Sequence, residues 1–91
     1  MPLTIRQSTQ FRRDVKRLLR RGADLARLEA VIVTLVAQQK LDERHHDHSL
    51  IGNWKGHREC HIQPDWLLIY RATGEELELV RTGSHSELFG R

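Results

Sequence analysis

Two periods of apolar and polar alternation run along this chain and divide it into elements. Leu3 and Ile5 alternate with Thr4 and Arg6, the two-residue repeat of a short strand. Phe11, Val15, Leu18 and Leu19 then recur at helical spacing, behind Ser8 or Thr9 as a capping side chain. Gly22 ends that helix and Asp24 caps the next, in which Leu25, Leu28, Ile32, Leu35 and Val36 form the apolar stripe. So short a turn folds the two helices back on each other as an antiparallel hairpin.

The second half changes period. Residues 41–55 are polar, include Gly52, and predict an exposed connection. Three strands are predicted next: 58–63, bounded by Pro64-Asp65; 66–71, the most apolar run; and 76–81, after the turn Thr73-Gly74-Glu75. In the first of these, Cys60 and Ile62 face one side while Glu59, His61 and Gln63 face the other. His61 therefore belongs on the polar face of the sheet, away from the helices. Residues 66–70 are apolar on both faces, as a central strand requires. The order β-α-α-β-β-β is that of an α+β fold, with the helical hairpin packed on a small antiparallel-rich sheet. At 91 residues and 10.7 kDa one domain is expected, spanning 1–91.

Charge adds a feature that the pattern hides. The net value is +3, from 15 Lys and Arg against 12 Asp and Glu. Residues 1–27 hold eight basic and two acidic side chains, whereas residues 28–91 hold seven and ten. The basic charge is concentrated at one end, and an anionic polymer is its natural partner. The single cysteine, Cys60, has no internal disulfide partner and fits a small core residue. No stretch is long and apolar enough for a membrane span, and the start lacks the layout of a signal peptide. A cytoplasmic protein is expected. No phosphate-binding glycine loop is present, so no cofactor is expected.

The candidate chemistry lies in six histidines, at 45, 46, 48, 57, 61 and 85. Histidine both gives and takes protons near neutrality, with an ordinary pKa of about 6.5. Histidines beside carboxylates and arginines suit acid–base attack on a phosphodiester. In RNA the nucleophile is already present as the 2′-hydroxyl, so two proton-transfer groups and a cation suffice without a metal. Metal binding is a second reading, through His45 and His48 or through His57, Cys60 and His61. It is weakened because strand alternation turns Cys60 away from His57 and His61. Trp66, Tyr70 and Phe89 are candidates to stack on unpaired bases, with core packing favoured for Tyr70.

The runs His48-Ser49-Leu50-Ile51-Gly52-Asn53-Trp54-Lys55-Gly56, Arg58 through Tyr70, Arg81-Thr82-Gly83-Ser84-His85 and Leu88-Phe89-Gly90 resemble the YafQ family of toxins in the RelE/ParE superfamily. About half the chain carries the likeness in sequence, and the rest carries it in the order of elements. The resemblance implies a compact RelE-like fold and a metal-independent endoribonuclease that cuts mRNA in the ribosomal A site. It also implies a cognate antitoxin that wraps and blocks the toxin. His48, His61, Asp65 and His85 match the family's proton-transfer and phosphate-contacting positions. Phe89 matches the aromatic that positions the RNA, and Trp66 a tryptophan beside the catalytic Asp. Arg81 falls near a basic position of the family and is included as a charge stabiliser. His57 departs from the pattern, since relatives often carry Tyr there. His45 and His46 match no family position and are expected to be solvated loop residues.

The basic helix suggests a separate job. Arg12, Arg13, Lys16, Arg17, Arg20 and Arg21 are candidates to dock on ribosomal RNA, with contacts to an acidic antitoxin as the alternative. Two other functions remain open on the sequence: a non-catalytic relative that binds nucleic acid or a partner, and a ParE-like gyrase inhibitor. The histidine set argues against the second, which needs no proton-transfer cluster.

Overall fold

The computed structural model describes residues 1–90; Arg91, included in the expected domain, lies outside the described residues. The elements are β1 (Thr4–Gln7), α1 (Thr9–Arg20), α2 (Leu25–Val36), β2 (His48–Ser49), β3 (Arg58–Gln63), β4 (Trp66–Ala72), β5 (Glu76–Gly83) and α3 (His85–Phe89). The five strands form one sheet in the order β1-β5-β4-β3-β2. β1 pairs with β5 in parallel, and the other three pairings are antiparallel. The α+β class and the antiparallel-rich sheet agree with the sequence pattern, with β2 and α3 added to the expected order.

Local chemistry sets the helix ends. Ser8 accepts a hydrogen bond from the Phe11 N–H at 2.9 Å and starts α1. Asp24 does the same for α2 through the Ala26 N–H. Gly22 adopts a φ of +77° between the helices, a left-handed conformation that glycine accepts without strain. The main core lies between the hairpin and one sheet face, and includes Phe11, Leu18, Leu28, Val31, Cys60, Ile62, Leu68, Leu77 and Leu79. A smaller cluster of Leu67, Ile69 and Leu88, joined by Leu50, Trp54, Val80 and Phe89, covers the other face. β4 supplies both clusters, which explains its unbroken apolar run.

Several expectations are corrected. Leu19 is 57% exposed, because it sits about 100° around the helix from buried Leu18. Val31 belongs to the buried stripe of α2. Residues 41–55 are not wholly an exposed connection. Leu41 is buried, two short 3-10 turns form at Glu43–His45 and Gly52–Trp54, and β2 pairs with β3. Glu59 does face away from the hairpin, yet it is buried at 5% exposure.

Candidate functional site

The strand alternation that buries Cys60 and Ile62 turns Glu59 and His61 to the opposite face. β2 brings His48 into register beside Glu59. The Pro64–Asp65 turn and α3 bring Asp65 and His85 together at the same edge. One Glu59 oxygen, Oε1, lies 3.5 Å from His61 Nε2 and 3.8 Å from His48 Nε2. The His61 and His85 rings stand 5.7 Å apart. His85 Nδ1 lies 2.6 Å from Asp65 Oδ1, and the His85 backbone N–H donates to the same oxygen at 2.9 Å. His48, His61, Asp65 and His85 are thus linked into one cluster, with Glu59 at its centre.

Hydrogen bonding decides which ring nitrogen each histidine presents. His48 Nδ1 lies 2.7 Å from the His46 carbonyl oxygen, and His61 Nδ1 lies 3.3 Å from that of Pro64. A carbonyl only accepts, so each Nδ1 carries the proton. The two donors from His85, its backbone N–H foremost, hold the Asp65 carboxyl below its ordinary value. Asp65 is therefore an ionised acceptor at neutral pH, and His85 Nδ1 is also the protonated nitrogen. All three histidines therefore leave Nε2 as the nitrogen for proton transfer, with those of His48 and His61 turned toward Glu59.

Other expected residues fall elsewhere. Trp66 is buried at 6% exposure in the main core, its indole N–H donating to Thr82 Oγ1 at 2.9 Å. Little of its ring is left open for a base, which counts against its expected substrate contact. Arg81 turns to α1, where Asp14 accepts from Arg81 Nε at 2.8 Å and from a terminal nitrogen at 3.2 Å. Its charge is thus held by a buried carboxylate away from the histidines. Phe89 packs edge-on to Trp54 at 6.3 Å, on the same sheet face as the cluster. On α1, Arg12, Arg13, Lys16 and Arg20 are exposed, whereas Arg17 and Arg21 contact Glu87 of α3. His45 and His46 are not simply solvated. His45 Nδ1 lies 2.7 Å from the His61 carbonyl oxygen, and the His46 ring meets the His61 ring edge-on at 5.6 Å.

Sequence reasoning missed Glu59 and Asp14 as structural centres. Strand alternation gives Glu59 its face, but nothing in the spacing marks it as buried between two histidines. Tyr70 lies in the core, as expected, and its hydroxyl donates to Asp47 Oδ1 at 2.6 Å. Asp47 also pairs with Arg58 at 3.2 Å, which pins the loop that carries His46 and His48 to the sheet.

Among the described residues one donor set fits a metal. Glu59, His61 and His85 each offer an atom, all within 4.8 Å of one another. Two imidazoles and a carboxylate are a common set for zinc and other transition metals.

A helical hairpin on one face of a mostly antiparallel sheet, with histidines and acids clustered on the other, defines a RelE-like toxin domain. The chain belongs to the YafQ family: the family model for "Bacterial toxin of type II toxin-antitoxin system, YafQ" matches residues 3–90. It is 40% identical over 87 residues to the mRNA interferase toxin YafQ of Escherichia coli K12, covering 94% of this chain and 95% of that one. The toxin in the crystal structure of the E. coli DinJ–YafQ toxin–antitoxin complex superposes with a TM-score of 0.91 at 38% identity, over 99% of this chain and 100% of that one. A metal-bound toxin from Helicobacter pylori is 47% identical with a TM-score of 0.89, covering 96% and 99% of the two chains.

Proposed function

We propose that this toxin is a ribosome-dependent endoribonuclease that cuts mRNA in the A site by metal-independent acid–base catalysis. The observation that carries the reading is the convergence of His48, His61 and His85, each presenting Nε2, around two carboxylates. One Nε2 takes the proton from the 2′-hydroxyl as it attacks the adjacent phosphorus. The bond to the departing 5′-oxygen breaks, and a second imidazolium gives that oxygen its proton. The products are a 2′,3′-cyclic phosphate and a free 5′-hydroxyl. Ionised Asp65 fixes the orientation and tautomer of the His85 ring, the role of an acid that orients a histidine. Phe89 and Trp54 offer an aromatic surface beside the cluster for an unpaired base.

In this reading the exposed Arg12, Arg13, Lys16 and Arg20 dock on ribosomal RNA, and the toxin acts in the cytoplasm. The partner that silences it is a cognate antitoxin, as DinJ accompanies YafQ in the E. coli complex. The metal reading rests on the Glu59, His61 and His85 donor set and on the metal-bound H. pylori relative. A metal there would occupy nitrogens that the proton-transfer reading needs free. Inducible expression of the wild type and His85→Ala, with mapping of mRNA ends, tests the function. Growth arrest with new ends for the wild type only supports the reading. Arrest with intact message moves the protein to gyrase or another target. Cleavage that persists in EDTA excludes an essential exchangeable metal.

A further inference from the structure

α3 is five residues long, far below the length at which a helix holds its own shape in water. It nevertheless carries His85 at its first position, so something outside the helix must fix its orientation. Asp65 supplies one restraint, through the backbone and ring nitrogens of His85. Glu87 supplies a second. Its Oε1 accepts the Ser84 N–H at 2.9 Å, while Ser84 Oγ accepts the Glu87 N–H at 3.2 Å, a reciprocal capping box.

The other Glu87 oxygen reaches out of the helix. Oε2 lies 2.6 Å from a terminal nitrogen of Arg21 and 2.7 Å from Arg17 Nε, the latter a close charge contact whose N–H is turned off the oxygen. Arg17 is fixed in turn by Asp14, 3.0 Å away and fully buried in the middle of α1. The link is crowded where it passes Gly83. A Cβ built there would come within 2.9 Å of both an Arg17 terminal nitrogen and Glu87 Oε1, at a φ of +154°. Only glycine lets the chain leave β5 and start α3 beside these two side chains.

We infer that Glu87 is a positioning residue for His85, clamping α3 to Arg17 of α1 and to Arg21 at its C-terminal cap. The inference rests on the proposed RNA cleavage for its effect on rate, though not for its effect on geometry. It also gives Arg17 and Arg21 a task distinct from docking. The exposed basic face of α1 and the histidine of α3 become parts of one rigid body. A ribosome that seats the first thereby aims the second.

The test uses Glu87→Ala and Glu87→Gln, on a mostly buried side chain that lies outside the main core. Gln keeps the capping acceptor but lacks the charge that holds two arginines. Single-turnover cleavage of ribosome-bound message and the imidazole N–H resonance of His85 are measured together, with Asp65→Ala marking a broken His85 bond. Glu87→Ala is expected to slow cleavage by up to about a hundredfold at unchanged KM, the scale of a misplaced reacting group. It should also shift the His85 resonance toward that of Asp65→Ala. Glu87→Gln should fall between on both readings. A His85 resonance unmoved in Glu87→Ala overturns the inference, whatever happens to the rate. A wild type that cuts no message removes the proposed function instead, and the resonance still decides the positioning.

Discussion

Replacing Asp14 by Asn should destabilise the fold more than any change to a surface charge. The Asp14 carboxylate is fully buried and accepts from Arg81, Arg17 and the Thr82 backbone N–H. Burial by itself raises its pKa. Arg81, the Thr82 N–H and Arg17 outweigh that and hold it below the ordinary value. Asn removes the charge and turns an NH2 toward donors, leaving the Arg81 guanidinium mostly buried and unpaired. Removing one partner of a buried pair costs about 3–5 kcal/mol. Arg81 keeps 19% exposure and Arg17 keeps Glu87, which favours the lower end. For a domain of this size, about 3 kcal/mol lowers Tm by roughly 10–25 °C. The pH dependence has a definite sign. A carboxyl whose native pKa is depressed stabilises the fold above its unfolded pKa of about 4, and that contribution is lost as pH falls through the native value. The gap between wild type and Asp14→Asn should therefore be widest at pH 7 and close on acidification below about pH 4. Urea unfolding followed by tryptophan fluorescence across that range measures it. A gap under about 1 kcal/mol at pH 7, or one that stays constant into acid, would refute the reasoning.

Two further outcomes follow from single reporter residues. Cys60 is the one cysteine; burial, then Asp47 and Glu59, push its thiol up to about 12. A disulfide reagent at pH 8 should react only as fast as the protein unfolds, and rapid labelling of the native state would contradict its placement. Tyr70 is the one tyrosine, and burial first, then its bond to Asp47, raise its pKa. A raised native pKa stabilises below the unfolded value of about 10 and is lost as pH climbs above it. Tyr70→Phe should cost about 1.5 kcal/mol at pH 7, and it should unfold with a weaker alkaline dependence than wild type. Equal alkaline slopes would count against the buried Tyr70–Asp47 bond.

The helices and three long strands were legible because each repeats its own period for long enough to show it. β3 matches 58–63 at both ends, bracketed by its alternation and by Pro64. β2 has two residues and no period, so it disappears into a polar stretch. α3 had a readable mark, Ser84 followed three residues later by Glu87, the pattern of a capping box. Trp66 could not be phased, since β4 is apolar on both faces. Asp14 reads in sequence as the near neighbour of Arg17 on a charged helix. Its stronger partner, Arg81, stands 67 positions away and becomes visible only when β5 lies against α1. Likewise, four basic side chains of α1 remain free at the surface, while Arg17 and Arg21 are committed to Glu87. The repulsion between arginines four apart, a few tenths of a kcal/mol per pair, is thereby partly offset within the fold, by about the same order.

The central claim is that His48, His61, Asp65 and His85 act on one scissile phosphate. It is tested most directly by single-turnover cleavage of ribosome-bound mRNA, comparing wild type with His48→Ala, His61→Ala, Asp65→Ala and His85→Ala. The chemistry of the new ends is read in the same reactions. The wild type should leave a 2′,3′-cyclic phosphate, and at least three variants should lose roughly a hundredfold or more, the scale of one proton transfer. Full activity in two or more of the four, or a 3′-hydroxyl end, would contradict it.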